Sequence, residues 1–239
     1  MSSTPLLQNM QASAQNAART SLIVIDSAIA NVSELVADIT QANDIRQVEQ
    51  QADILLLSPV HDGIAQITEA LKDYDSLSRL HIVSHGTPGA LRLGGAQLSF
   101  KSLDQYAASL ERWANLLQGK EILLYGCQLA KGAIGHLFLQ QLHQLTGANI
   151  AASDKSVGLV DGTPNWKLDT QLGTVQSNVI FSEALQQSYK GSFAEVSFSI
   201  EQDVAIETEG TLVTFNFTLD DAPPPEGTVV VLSANEPAS

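Results

Sequence analysis

The chain has 239 residues, 44% of them hydrophobic, and a formal net charge of −14. Its isoelectric point near 4.5 speaks against nucleic acid as a partner, because no basic face can offset that field near phosphate. The single cysteine excludes an internal disulfide, and no apolar run approaches the roughly 20 residues that a membrane-spanning helix needs.

Residues 1–20 lack the basic start and apolar centre of a Sec-type signal peptide and read as a flexible arm of Gln, Asn, Ser and Ala. From Ser21 to Lys190, short apolar runs alternate with helical patterns. Leu22–Ile25 is apolar at every position, as expected of a strand buried on both faces, and Asp26-Ser27 ends it and caps the next helical segment. Val32, Leu35, Val36 and Ile39 recur at helical spacing. Ile54–Leu57 is a second buried strand, stopped at Ser58-Pro59. A helix through Ile64, Ile67 and Leu71 precedes a third strand, Leu80–Val83. Gly89–Leu98 reads as a hairpin turning at Gly94-Gly95. Next come a helix over Leu103–Leu117, a strand at Ile122–Tyr125, a helix over Ile134–Leu145 ended by Thr146-Gly147 and a strand at Asn149–Ala152. Trp166–Leu168 reads as a further strand and Phe181–Tyr189 as a final helix. Such alternation implies an α/β fold whose mostly parallel sheet is covered on both faces. All the parallel strands then end on one edge, where the sites of open α/β sheets lie.

Beyond Lys190-Gly191 the character changes. Residues 195–239 hold nine acidic residues and no Lys or Arg. Val196, Phe198 and Ile200, then Val213, Phe215, Phe217 and Leu219, alternate with period two. Residues 191–239 therefore read as a short antiparallel β segment, too short for a whole sandwich of about a hundred residues.

Two segments share a form. Leu80–Gly86 and Glu121–Cys127 are each an apolar strand that delivers a reactive side chain beside a glycine, His85 before Gly86 and Cys127 after Gly126. If those strands are neighbours, imidazole and thiol emerge at one edge. A thiol becomes a strong nucleophile when an imidazole takes its proton. The glycines let backbone N–H groups approach a substrate closely, so the N–H groups of Gly86 and Cys127 are the candidate oxyanion hole.

The strand ending in His-Gly and the later strand ending in Gly-Cys resemble the signature of the caspase, gingipain, legumain and separase group of cysteine peptidases. The phrases HIVSHGTPGALRLG, ILLYGCQLAKG and LTGANIAASDKSVG resemble a caspase-like domain found near the N-terminus of large bacterial secreted, adhesin-like proteins. The resemblance implies a caspase-like three-layer sandwich over residues 21–190. It also implies a His85–Cys127 dyad that cleaves a peptide or protein substrate, with no cofactor required, in a secreted or cell-surface setting. Residues 194–235 resemble the start of a Calx-beta domain. Some such domains bind calcium through loop carboxylates, and Asp220 and Asp221 lie in a predicted loop, although two carboxylates fall short of a calcium ligand set.

In the resembling peptidases the end of the first strand often lines the pocket for the residue before the scissile bond. Asp26 there, with Asp154 as a second candidate, implies selection of Arg or Lys; read from the residues alone, Asp26 is equally a helix cap. A basic-specific enzyme directs attention to its own chain. Lys190-Gly191 at the predicted boundary and Arg19 at the end of the arm are candidate autocleavage sites. His81 reads as packing, His136 and His143 as exposed and His61 as a loop residue, so no metal site is expected. Two rival functions stay open, a non-catalytic binding or structural module at the head of a surface adhesin and another thiol enzyme such as an acyltransferase. No third residue that would orient His85 is evident.

Overall fold

Strands that are apolar at every position need cover on both faces, and the fold results from that need. In a computed structural model, residues 20–45, 52–160, 162–193, 196–200 and 215–219 are described. In chain order they form β1 (Ser21–Asp26), α1 (Val32–Ile45), β2 (Ala52–Leu57), α2 (Gly63–Ala70), β3 (Arg79–Val83), β4 (Gly86–Thr87), β5 (Ala90–Leu93), β6 (Ala96–Ser99), α3 (Ala107–Leu117), β7 (Glu121–Tyr125), α4 (Gly132–Thr146), β8 (Asn149–Ala152), β9 (Gly158–Val160), β10 (Thr163–Asn165), β11 (Thr170–Leu172), α5 (Glu183–Ser188), β12 (Val196–Ile200) and β13 (Phe215–Leu219).

The central sheet has the order β11–β8–β7–β3–β1–β2. Strand β11 runs antiparallel to β8, and the other pairs are parallel. Successive side chains along a strand point to opposite faces, and two core clusters result. Leu22, Val24, Leu80, Ile82, Ile122 and Leu124 pack on one face beneath α2, α3 and α4. Ile23, Ile25, Val83, Leu123 and Tyr125 pack on the other beneath α1 and α5. The arrangement is a three-layer α/β sandwich. On α3 the inward residues Leu110, Trp113 and Leu117 are spaced three and four apart. The Trp113 indole N–H donates to Thr68 Oγ1 at 2.8 Å, so its burial leaves no polar atom unpaired. Helix α4 ends at Gly147, whose φ of 64° is the left-handed turn that its glycine predicts.

Some elements differ from their sequence expectation. Strand β2 is the sheet's edge, and Leu56 is 48% exposed; an apolar run by itself does not separate an edge strand from a central one. The stretch Leu103–Tyr106 forms a 3-10 turn before α3 begins. Trp166–Leu168 is not a strand. The sheet is completed instead by β11, and the Trp166 ring packs into the second core cluster. The α/β unit also extends past Lys190, because Ser192 bridges Gly158 of β9 and Gly191 and Phe193 are buried. Strands β12 and β13 pair antiparallel with Phe198 opposite Phe217. Arg19, Asp220 and Asp221 lie outside the described residues. Among the described residues no helix is long and apolar enough to cross a membrane.

Candidate active site

Strands β3 and β7 are neighbours with Val83 opposite Tyr125. The Ser84 N–H continues the ladder to the Tyr125 carbonyl at 3.2 Å, so His85 and Cys127 leave the sheet at the same edge. The two glycines let these turns touch. A Cβ on Gly86 would sit 2.8 Å from Gly126 Cα and 3.0 Å from Cys127 N, closer than any side chain tolerates. The small sheet β4–β5–β6 braces the turn, with the Arg92 N–H donating to the His85 carbonyl at 3.0 Å.

The partner of the His85 ring is a backbone carbonyl. His85 Nε2 lies 3.3 Å from Ala28 O, a long hydrogen bond. A carbonyl only accepts, so Nε2 carries a proton. Nδ1 is buried and has no hydrogen-bond partner among the described residues. Asp26 shapes the turn that presents Ala28. Its Oδ1 accepts the Ala28 N–H at 2.9 Å, and its Oδ2 accepts the Gly94 N–H at 2.9 Å. Asp26 is 0% exposed. A carboxylate buried and bonded in this way does not face an incoming Arg or Lys, so its placement gives no support to the specificity role. Nor is it a helix cap, since the next helix starts only at Val32 and the carboxylate closes the Ala28 turn and holds Gly94 instead.

Cys127 is also 0% exposed. The Val157 N–H points at its Sγ from 3.2 Å, and Sγ lies 3.5 Å from Val157 O. One residue's main chain thus both donates to the sulfur and accepts from it, which fixes the thiol's position. The next residue, Gln128, takes a left-handed φ of 54° and is held by its N–H to Lys155 O at 2.8 Å. Such strain at a turn persists only where its surroundings enforce it.

The N–H groups of Gly86 and Cys127 converge, and both reach the same atom. Gly86 N–H lies 3.0 Å and Cys127 N–H 3.4 Å from the carbonyl oxygen of Phe193. The carbonyl held there is not that of Lys190, the expected cleavage position. Lys190 is exposed, and the next carbonyl, Gly191 O, accepts from the Leu159 N–H at 2.8 Å. Sequence reasoning missed Ala28, Val157 and Phe193. Ala28 and Val157 act through main-chain atoms, which carry no residue-type signature, and Phe193 reads as an ordinary apolar residue.

Asp154 is exposed and lines a cleft of about 510 Å3 beside the cysteine turn, with Gln128, Lys131, Lys155, Ser156 and Asn165. The two lysines would compete with a basic substrate group for its charge. His81 is packing, as expected, with Nδ1 3.0 Å from the Tyr125 hydroxyl. Burial pushes the Tyr125 phenol well above the usual tyrosine range. The Tyr189 phenol is likewise raised, chiefly by burial and then by the charges of Glu34 and Cys127. His136 and His61 are exposed, whereas His143 is half-buried and bonds Ala148 O at 2.6 Å. Among the described residues no group of three or more His, Cys, Asp or Glu side chains is placed to hold a metal ion.

A family model described as a domain of unknown function (DUF4347) matches residues 22–193, which is most of the chain, and the chain belongs to that family. No curated protein matches. One similar solved structure is a mutant flavodoxin from Fusobacterium nucleatum bound to flavin mononucleotide. It is 13% identical, with a TM-score of 0.32, over 62% of this chain and 74% of that one. A likeness that slight carries nothing over to this chain.

Proposed function

We propose that this member of the DUF4347 family is a cysteine endopeptidase of caspase-like architecture, with Cys127 as nucleophile and His85 as its base. The observation that carries the reading is the convergence of the Gly86 and Cys127 N–H groups on one carbonyl oxygen, at 3.0 and 3.4 Å, beside the only thiol in the chain. Two backbone donors aimed at a peptide oxygen next to a nucleophile are what stabilises a tetrahedral intermediate. In this mechanism His85 Nδ1 takes the thiol proton while the Ala28 carbonyl holds Nε2–H in place. The Val157 N–H supports the sulfur anion. The thiolate adds to the carbonyl carbon, and the oxygen's growing charge falls on the two N–H groups. His85 then returns the proton to the departing amine, and water hydrolyses the thioester.

One observation favours the rival reading, a non-catalytic module at the head of a surface adhesin: the cysteine has no exposed surface. Under the peptidase reading the segment 191–193, whose Phe193 carbonyl meets the Cys127 N–H, occupies the cleft until it is cut. The test is reaction of the chain with an electrophilic peptide warhead, with peptide mapping of the product. Modification of Cys127 that disappears in His85→Ala supports the peptidase. A thiol that reacts only after denaturation, in the wild type and in a folded Phe193→Gly variant alike, removes it.

A further inference from the structure

We infer that the chain is its own substrate, cut at the Phe193–Ala194 bond, and that the site takes an aromatic side chain before the scissile bond. This rests on the peptidase reading. The segment ending at Phe193 lies in the cleft as an extended peptide added to a strand edge. The Phe193 N–H donates to Val157 O at 3.0 Å, and Gly191 O accepts from Leu159 N–H at 2.8 Å. Between these bonds Ser192 bridges Gly158 in antiparallel sense. Gly158 makes the approach possible, for its φ is +104° and a Cβ there would fall 2.4 Å from Gly191 O. The same Val157 that fixes the Phe193 amide donates to Cys127 Sγ, so one residue registers both the nucleophile and the peptide.

The Phe193 ring is 0% exposed. It meets Trp166 edge-on at 5.6 Å and Tyr189 at 5.8 Å between centroids. The polar atoms of that box are already committed, Trp166 Nε1 to Gln186 O and Tyr189 Oη to Ala30 O. The box therefore offers a flat slot walled by aromatic rings.

The step balances. Cys127 Sγ bonds to the Phe193 carbonyl carbon, and the C–N bond to Ala194 breaks. His85 passes the thiol proton to the new Ala194 amine. Water then splits the thioester, leaving a Phe193 carboxylate and regenerating the thiol.

The test uses the full chain, read by intact mass and N-terminal sequencing. The expected result is a fragment ending at Phe193 and another beginning at Ala194. Both should be absent from Cys127→Ala and from Ala194→Pro, which leaves the aromatic box untouched. A wild-type chain that stays whole, or is cut after Arg19 or Lys190 instead, overturns the inference. A parallel assay measures turnover of a Gly-Ser-Phe-aminomethylcoumarin peptide by Phe193→Gly, its folding checked by thermal melting. Turnover there beside an uncut wild type overturns self-cleavage and leaves the peptidase standing. An uncut chain with no turnover and no warhead labelling overturns both.

Discussion

Replacing Gly86 by alanine tests the packing of the two reactive turns directly. The added Cβ would lie 2.8 Å from Gly126 Cα, 2.9 Å from the Gly126 carbonyl carbon and 3.0 Å from Cys127 N. All three are main-chain atoms of a buried turn, so no side chain can swing aside. Carbon atoms rest at about 3.5–4.0 Å, so relief needs the turns to part by roughly 0.7 Å. Overpacking of this kind costs about 1–3 kcal/mol. The same movement carries the Cys127 N–H, already 3.4 Å from the Phe193 oxygen, out of hydrogen-bonding range. Losing one such donor lowers turnover by about 10²–10³-fold. Urea unfolding of Gly86→Ala in a Cys127→Ala background, where the chain stays whole, reads the first cost. The rate of fragment appearance in the single variant reads the second. A Gly86→Ala chain with the wild-type urea midpoint and the wild-type rate would refute the claim that the two turns are in contact.

Asp26→Asn should destabilise the fold, since it weakens buried bonds to two backbone N–H groups, and bonds to a charged acceptor contribute about 1.5–3 kcal/mol. Urea midpoints measure it; an unchanged midpoint together with a lost preference for basic peptides would restore Asp26 to the substrate pocket. Alkaline pH should weaken the fold through Tyr125 and Tyr189, whose phenols are raised by burial. The unfolded phenol ionises near pH 10 while the folded one stays protonated, so stability is whole below that pH and is lost as pH climbs above it. Unfolding free energies at pH 9, 10 and 11 should fall, and less steeply in Tyr125→Phe; identical slopes in the variant and the wild type would contradict the burial of that hydroxyl.

Much of the architecture is legible in the chain because hydrophobic periodicity is local. The all-apolar run Leu22–Ile25 demanded a doubly covered strand and became one. The pattern over Leu103–Leu117 marked the helix that became α3, and Gly147 marked a helix end. His85 and Cys127 were legible for a related reason, since reactive side chains beside glycine at strand ends stand out against an apolar background. The edge position of β2 was not legible, because an apolar run records burial but not how many neighbours the strand has.

What the sequence by itself determined was therefore an alternating α/β chain that carries an imidazole and a thiol at the ends of two strands. Tertiary structure alone decided that Ala28 lends its carbonyl to His85, that Asp26 turns inward to cap that loop, and that Phe193 lays its carbonyl between two N–H groups. The physical reason is common to all three. Main-chain donors and acceptors are the same at every residue, so which of them meet depends on how distant segments pack and not on what the residues are.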